Sequence, residues 1–211
     1  MPHFKRNTGW TFLLATAIAL LGLGNVQARS ITKQNMVDLM THSESILVGT
    51  VQKKSDGFHM GLPYTEITIK VAQNIKGNNG ETYTFRQFGL MEPRNMGDGR
   101  INLMVTPAGW PTYAQGEQVM LFLHAPASET GFQTTAGLNQ GKFTIRGNQI
   151  ANELLNDNLF DRVAIKAAMT RAQQDLVGQQ SGSYQAHAFM QLVRTAVEEN
   201  WIENGVMTHE D

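Results

Sequence analysis

Apolar and polar positions change period several times along the chain. Met36, Val37, Leu39 and Met40 share one helical face, and Ser30 or Thr32 stands where an N-terminal cap belongs, so a short helix is predicted there. Ser45–Val51 is then β-branched and aliphatic, the pattern of a buried strand, with Lys53-Lys54-Ser55-Asp56-Gly57 marking its exposed end. Tyr64–Val71 alternates, placing Ile67, Ile69 and Val71 on an inward face. Lys76–Gly80 reads as a turn, and Thr82–Phe88 as a third, alternating strand.

Residues 89–115 interrupt this rhythm. They are rich in Gly, Pro, Asn and Met and read as a long excursion, with a short strand at Ile101–Val105. Gln118–Leu123 is the most apolar run after the N-terminal segment and is expected to be a central strand. Phe132–Thr135 and Lys142–Arg146 give two more strands, and Gly147-Asn148 suits a tight turn into Gln149–Ala151. Short strands at this spacing predict a mainly β fold, a small antiparallel barrel or sandwich over residues 29–153.

Residues 154–211 read as a helical extension packed on that barrel. Phe189, Leu192, Val193, Ala196, Val197 and Trp201 form one stripe at helical spacing, a face that either packs on the barrel or meets a partner. Residues 159–176 are Ala- and Gln-rich and helix-prone, separated from the stripe by Gly178–Ser183.

The first 28 residues follow a different logic. Lys5 and Arg6 precede an almost unbroken apolar run from Trp10 to Leu21, and Val26-Gln27-Ala28 presents an A-x-A-like site. The run is short of the roughly 20 residues that span a bilayer, so a signal peptide cleaved after Ala28 is expected rather than an anchor. The chain contains no cysteine, which removes a lipid-anchoring cysteine, thiol nucleophiles, disulfides and Cys-rich metal sites together. The short, weakly basic signal is of bacterial type, and the expected location is the periplasm or the medium.

Without residues 1–28 the chain carries 15 Lys and Arg against 18 Asp and Glu, a net charge of −3. Mildly acidic and evenly mixed, it offers nothing that would steer it to nucleic acid. Candidate chemistry is sparse. There is no His-Glu-x-x-His helix and no Gly-x-Ser-x-Gly elbow. Gly137–Lys142 fails the spacing of a phosphate loop, and Phe143 stands where its hydroxyl belongs, so it reads as a turn into a strand. His42, His59, His124, His187 and His209 include no pair one, three or four residues apart. No metal site, cofactor or catalytic residue is therefore assigned. Only an assembly of scattered residues among His59, Glu66, Asp98 and His124 would make a hydrolase-like enzyme.

The excursion is the candidate functional surface. Met91, Met96, Met104, Trp110 and Tyr113 are costly to leave in water and offer adaptable or large contacts. They belong either to a lid folded over the core or to a binding surface.

Glu44–Val51, Tyr64–Val71 and Ile75-Lys76-Gly77, followed by Gln115–Leu123 and Gly137–Phe143, resemble a recurrent bacterial exported module of unknown function. The resemblance covers about residues 31–146. The first two strands and the Lys-Gly turn are also similar, more distantly, to the netrin-like module of tissue inhibitors of metalloproteinases. That likeness implies an OB-like barrel. It does not bring the inhibitory chemistry with it, because Arg29 stands where those inhibitors carry their zinc-chelating cysteine. The reading that results is an exported, non-catalytic module engaging a protein or peptide partner. The alternatives are the hydrolase-like enzyme, an envelope-assembly structural protein, or a protease inhibitor working by other chemistry.

Overall fold

The structure is a computed structural model and describes residues 33–210. The expected signal peptide and its cleavage site lie outside the described residues. The first element is α1 (Met36–His42), whose four apolar positions are all buried. Its cap is not Ser30 or Thr32. Asn35 caps it through Asp38 N–H, and the Asp38 carboxylate accepts from Asn35 N–H at 3.1 Å, closing a reciprocal box.

Two long strands follow, β1 (Ser45–His59) and β2 (Leu62–Lys76), paired antiparallel through a two-residue turn at Met60-Gly61. The first runs well past the exposed end expected at Lys53–Gly57, with Asp56 opposite Thr65 and Gly57 opposite Tyr64. Register shifts near Ile46, Val48 and Val51 curl the hairpin instead of ending it. The next elements are β3 (Thr82–Phe88), β4 (Arg94–Asn95), β5 (Ile101–Asn102), β6 (Gln118–Leu123), β7 (Lys142–Arg146) and β8 (Gln149–Asn152).

The C-terminal part is less helical than its composition suggests. Leu155, Asn156, Asn158 and Arg162 adopt left-handed φ between 52° and 57°, which breaks any helix over 154–162. Then come β9 (Val163–Ile165), α2 (Arg171–Val177), β10 (Tyr184–Gln185), α3 (Ala186–Glu198) and β11 (Met207–His209). Helix α2 starts late because Thr170 and Gln173 form its capping box. Helix α3 carries the expected apolar stripe, but Trp201 lies three residues beyond its end, buried in the following turn.

The fold is mainly β, as predicted. Its seven-stranded sheet runs β10-β8-β7-β6-β1-β2-β3, every pairing antiparallel. The sheet does not close into a barrel. Residues 132–135, expected as a strand, make only isolated bridges, Phe132 to Arg86 of β3 and Thr135 to Leu123 of β6. They tie the free edge back toward the centre without a ladder.

Each face of the curled sheet holds its own core. Along β6, Met120 and Phe122 face the helices and join Ile46, Val48, Phe143, Phe189, Leu192 and Trp201. The intervening Val119, Leu121 and Leu123 face the other way and meet Leu47, Val51, Ile67, Ile69, Phe85 and Tyr113 inside the curl. The second core underlies the excursion, and Val71 packs at its margin.

Candidate functional site

The excursion leaves β3 through Gly89, whose φ is +105°. A side chain there would meet the Thr106 backbone at 2.5 Å, so the outgoing and returning strands touch only because this residue is glycine. Gly89 N–H donates to Pro63 O at 3.0 Å, and the Thr65 hydroxyl donates to Gly89 O at 2.7 Å. Leu90, fully buried, bridges to Val105; its N–H donates to Met104 O, and its carbonyl accepts from Thr106 N–H. Strands β4 and β5 make a small hairpin farther out. Asp56 on β1 braces it by accepting from Met91 N–H at 2.9 Å and from the Arg94 guanidinium.

The second half of the excursion, residues 109–114, is a strap held down by side chains from four directions. Gln87 Nε2 donates to Pro111 O at 2.8 Å, Lys142 Nζ to Thr112 O at 2.6 Å and Lys54 Nζ to Tyr113 O at 3.0 Å. Ala114 N–H donates to Glu117 Oε2 at 3.1 Å. Lys142 also pairs with Glu117 Oε1 at 2.7 Å, with both side chains largely buried, and lies 5.1 Å over the Tyr113 ring. Burial alone would raise the Glu117 pKa. Hydrogen bonds from Lys142, Thr144 and Ala114 outweigh it and hold the carboxyl below its ordinary range.

Hairpin and strap enclose a cleft of about 340 Å³ against the open end of the curl. Met91, Pro93, Val105 and Tyr113 supply apolar wall, and Lys54, Glu92, Thr65, Thr106 and Gln87 supply polar groups. An adjoining hollow extends past Lys54, Glu92 and Pro93 to Asp56 and Arg94. Two polar atoms on the cleft's lining residues have no hydrogen-bond partner among the described residues: the Tyr113 hydroxyl and Gln87 Oε1. Tyr113 is 6% exposed and Gln87 1%. Burial, then the charges of Glu117 and Glu153, push the Tyr113 phenol well above its ordinary value. It therefore stays a neutral donor.

The structure divides the five candidate surface residues. Met91, Met96 and Met104 are exposed on or beside the hairpin, Trp110 is half-buried on the strap, and Tyr113 is a core residue set edge-on to Phe85 at 5.8 Å. Ile101 and Leu103, 61% and 71% exposed, add to the exposed apolar side chains in this stretch. Sequence reasoning missed Lys54, Gln87 and the Glu117–Lys142 pair. Glu117 and Lys142 sit inside the Gly116-Glu117 and Gly141-Lys142-Phe143 motifs, and that coincidence was the available signal.

The scattered polar residues sit with separate partners. Glu66 binds Arg86 at 2.8 Å, Asp98 binds Arg100, His124 Nδ1 contacts His42 O at 3.0 Å, and the His59 ring lies near Phe132. Among the described residues, no three His, Asp or Glu side chains gather where they could hold a metal ion. Nor is any described helix long and apolar enough to cross a membrane.

Fold and site together define a curled, mainly β module with a braced loop arm and an amphipathic cleft beneath it. Comparison with family models, with curated proteins and with solved structures finds no match in any of the three.

Proposed function

We propose that this chain is an exported, non-catalytic binding module whose 89–115 excursion engages a protein or peptide partner. The observation that carries the reading is the set of exposed apolar side chains on and beside the hairpin. Met91, Met96, Ile101, Leu103 and Met104 stay exposed on an arm fixed by Asp56, Gly89 and Leu90, next to a cleft. A fixed arm that keeps such side chains in water gains by covering them, and methionine suits a surface that must adapt to its partner. The mouth mixes Lys54 and Arg94 with Asp56 and Glu92, so shape and apolar contact, not net charge, select what binds.

The test is a pull-down from the periplasm and medium with tagged residues 29–211 and with a Met96→Asp/Leu103→Asp variant. Both positions are exposed, so the variant is expected to melt at the wild-type temperature. A partner held by the wild type and lost by the variant is the expected result. Recovery by both forms, or by neither, would overturn the assignment.

A further inference from the structure

His42 and His124 stand 82 residues apart in the chain, yet the fold sets their rings side by side, with centroids 6.3 Å apart and planes inclined at 43°. His42 ends α1, and the chain leaving it is tied to the end of β6. Glu44 N–H donates to Leu123 O at 2.9 Å, and Ser45 pairs with Leu123. His124, one residue beyond β6, is held at three points. Its N–H donates to Thr134 O at 3.0 Å, its carbonyl accepts from Gln133 Nε2 at 2.6 Å, and its Nδ1 lies 3.0 Å from His42 O. Neither ring lines the cleft.

The contact to His42 O fixes the tautomer. A carbonyl only accepts, so Nδ1 carries the proton and Nε2 of the neutral ring presents a lone pair. A backbone carbonyl on one imidazole nitrogen is also the arrangement that orients a histidine toward a metal on the other. Among the described residues, His124 Nε2 has no hydrogen-bond or ion-pair partner, and neither has the exposed ring of His42. The backbone carbonyls of this corner are taken: His42 O by His124, and the oxygens of Met40 and Ser43 by Lys76 Nζ. The open donors are therefore imidazole nitrogens, which suit zinc or copper(II) and not the oxygen-seeking calcium or magnesium. With bonds of about 2.0–2.1 Å, a tetrahedral zinc ion brings two imidazole centroids to about 5 Å, so the pair must close by about 1 Å. His42, exposed at the helix end, can supply that swing while His124 stays fixed.

We propose that His42 and His124 form a two-histidine site for zinc or copper(II). Among the described residues no third His, Asp or Glu joins them, so water fills the open positions. The bound ion pins the end of α1 to the end of β6. The site is separate from the hairpin and does not depend on the binding-module reading.

The test is titration of tag-free residues 29–211 with zinc sulfate, copper(II) sulfate, calcium chloride and magnesium chloride, followed by calorimetry. Zinc and copper(II) are expected to bind at one equivalent, copper(II) more tightly, with no competition from calcium or magnesium. Zinc should shift the ring ¹H and ¹⁵N resonances of His42 and His124 and leave those of His59 and His187 in place. At about a hundredfold excess over its Kd it should raise the melting temperature by a few degrees. His42→Ala and His124→Asn should each weaken binding of both ions at least about tenfold. Asn at position 124 keeps an N–H for His42 O while removing the Nε2 lone pair, and His42→Ala alters an exposed side chain, so both variants are expected to melt without metal at the wild-type temperature. If His124→Asn melts lower, His42→Ala alone decides. The proposal is overturned if neither ion binds, if calcium or magnesium displaces zinc, or if His42→Ala binds as tightly as wild type. Shifts confined to His209, which pairs with Asp38 at 3.3 Å, would put the ion elsewhere and overturn it too.

Discussion

Glu117 and Lys142 show how single residues hold the site in shape. Lys142 reaches the strap carbonyl of Thr112, the Tyr113 ring and Glu117 at once. Removing one partner of a buried pair strands the other, so Lys142→Met is expected to cost about 3 kcal/mol. Replacing both residues, as Lys142→Met/Glu117→Leu, should recover much of that loss, and urea midpoints of the three variants check it. The pair also sets an acid limit. Folding lowers the Glu117 pKa below its ordinary 4.5, so its contribution is complete above that value and is lost as pH falls through the lower, folded value. Wild type should therefore lose melting temperature between about pH 5 and pH 3 more steeply than Lys142→Met does. The motifs around these residues were legible in the sequence, but their reason was not, since Glu117, just before β6, and Lys142, at the start of β7, lie 25 residues apart and meet only through the fold. Gly49 is a parallel case. It sits in the strand motif because a side chain there would meet Lys70 O at 2.4 Å, a cross-strand contact that no local pattern records.

Elements with a clear period could be read, and those set by tertiary partners could not. The alternation of Thr82–Phe88 and the apolar run Gln118–Leu123 give strands with the predicted bounds, and the α3 stripe gives a helix. The outer half of β1 was missed because Lys53–Gly57 carries a turn-like composition, while its ladder to β2 closes at Met60-Gly61, a pair without the usual Asn-Gly signature. Helix propensity over 159–176 lost to left-handed turns and to the β9–β11 pairing. The β4–β5 arm is too short to carry a period, and its order depends on Asp56, which accepts from both Met91 and Arg94. Asp56→Ala should therefore release the arm without melting the sheet. Trypsin is expected to cut after Arg94 or Arg100 several times faster in the variant, with little change in melting temperature. Equal cleavage rates would show that Gly89 and Leu90 suffice to hold the arm.

At the scale of the whole molecule, the central strands are buried on both faces, so neither core is complete without β1 and β6. Ile46, Val48, Met120, Phe122 and Phe143 turn one face toward α3 and the chain that follows it, while their alternate neighbours line the curl beneath the cleft. Aromatic rings carry the packing across that boundary, Phe122 to Phe143 at 5.5 Å, Phe143 to Phe189 at 5.0 Å and Phe189 to Tyr184 at 5.7 Å. Cutting the chain after Gly147-Asn148-Gln149-Ile150-Ala151-Asn152-Glu153 would strip this face bare and also remove β10 from the edge of β8. A fragment of residues 29–153 is accordingly expected to lack a cooperative thermal transition and to bind a hydrophobic dye. In the full chain, Phe189→Ala should cost about 3–5 kcal/mol and shift sheet and helix signals together, in one transition. If the fragment instead melts cooperatively and still binds the partner of the full chain, the C-terminal helices support the sheet without being needed for the cleft. If it does not, the cleft exists only because the opposite face is covered, and a substitution in α3 would weaken binding from the far side of the sheet.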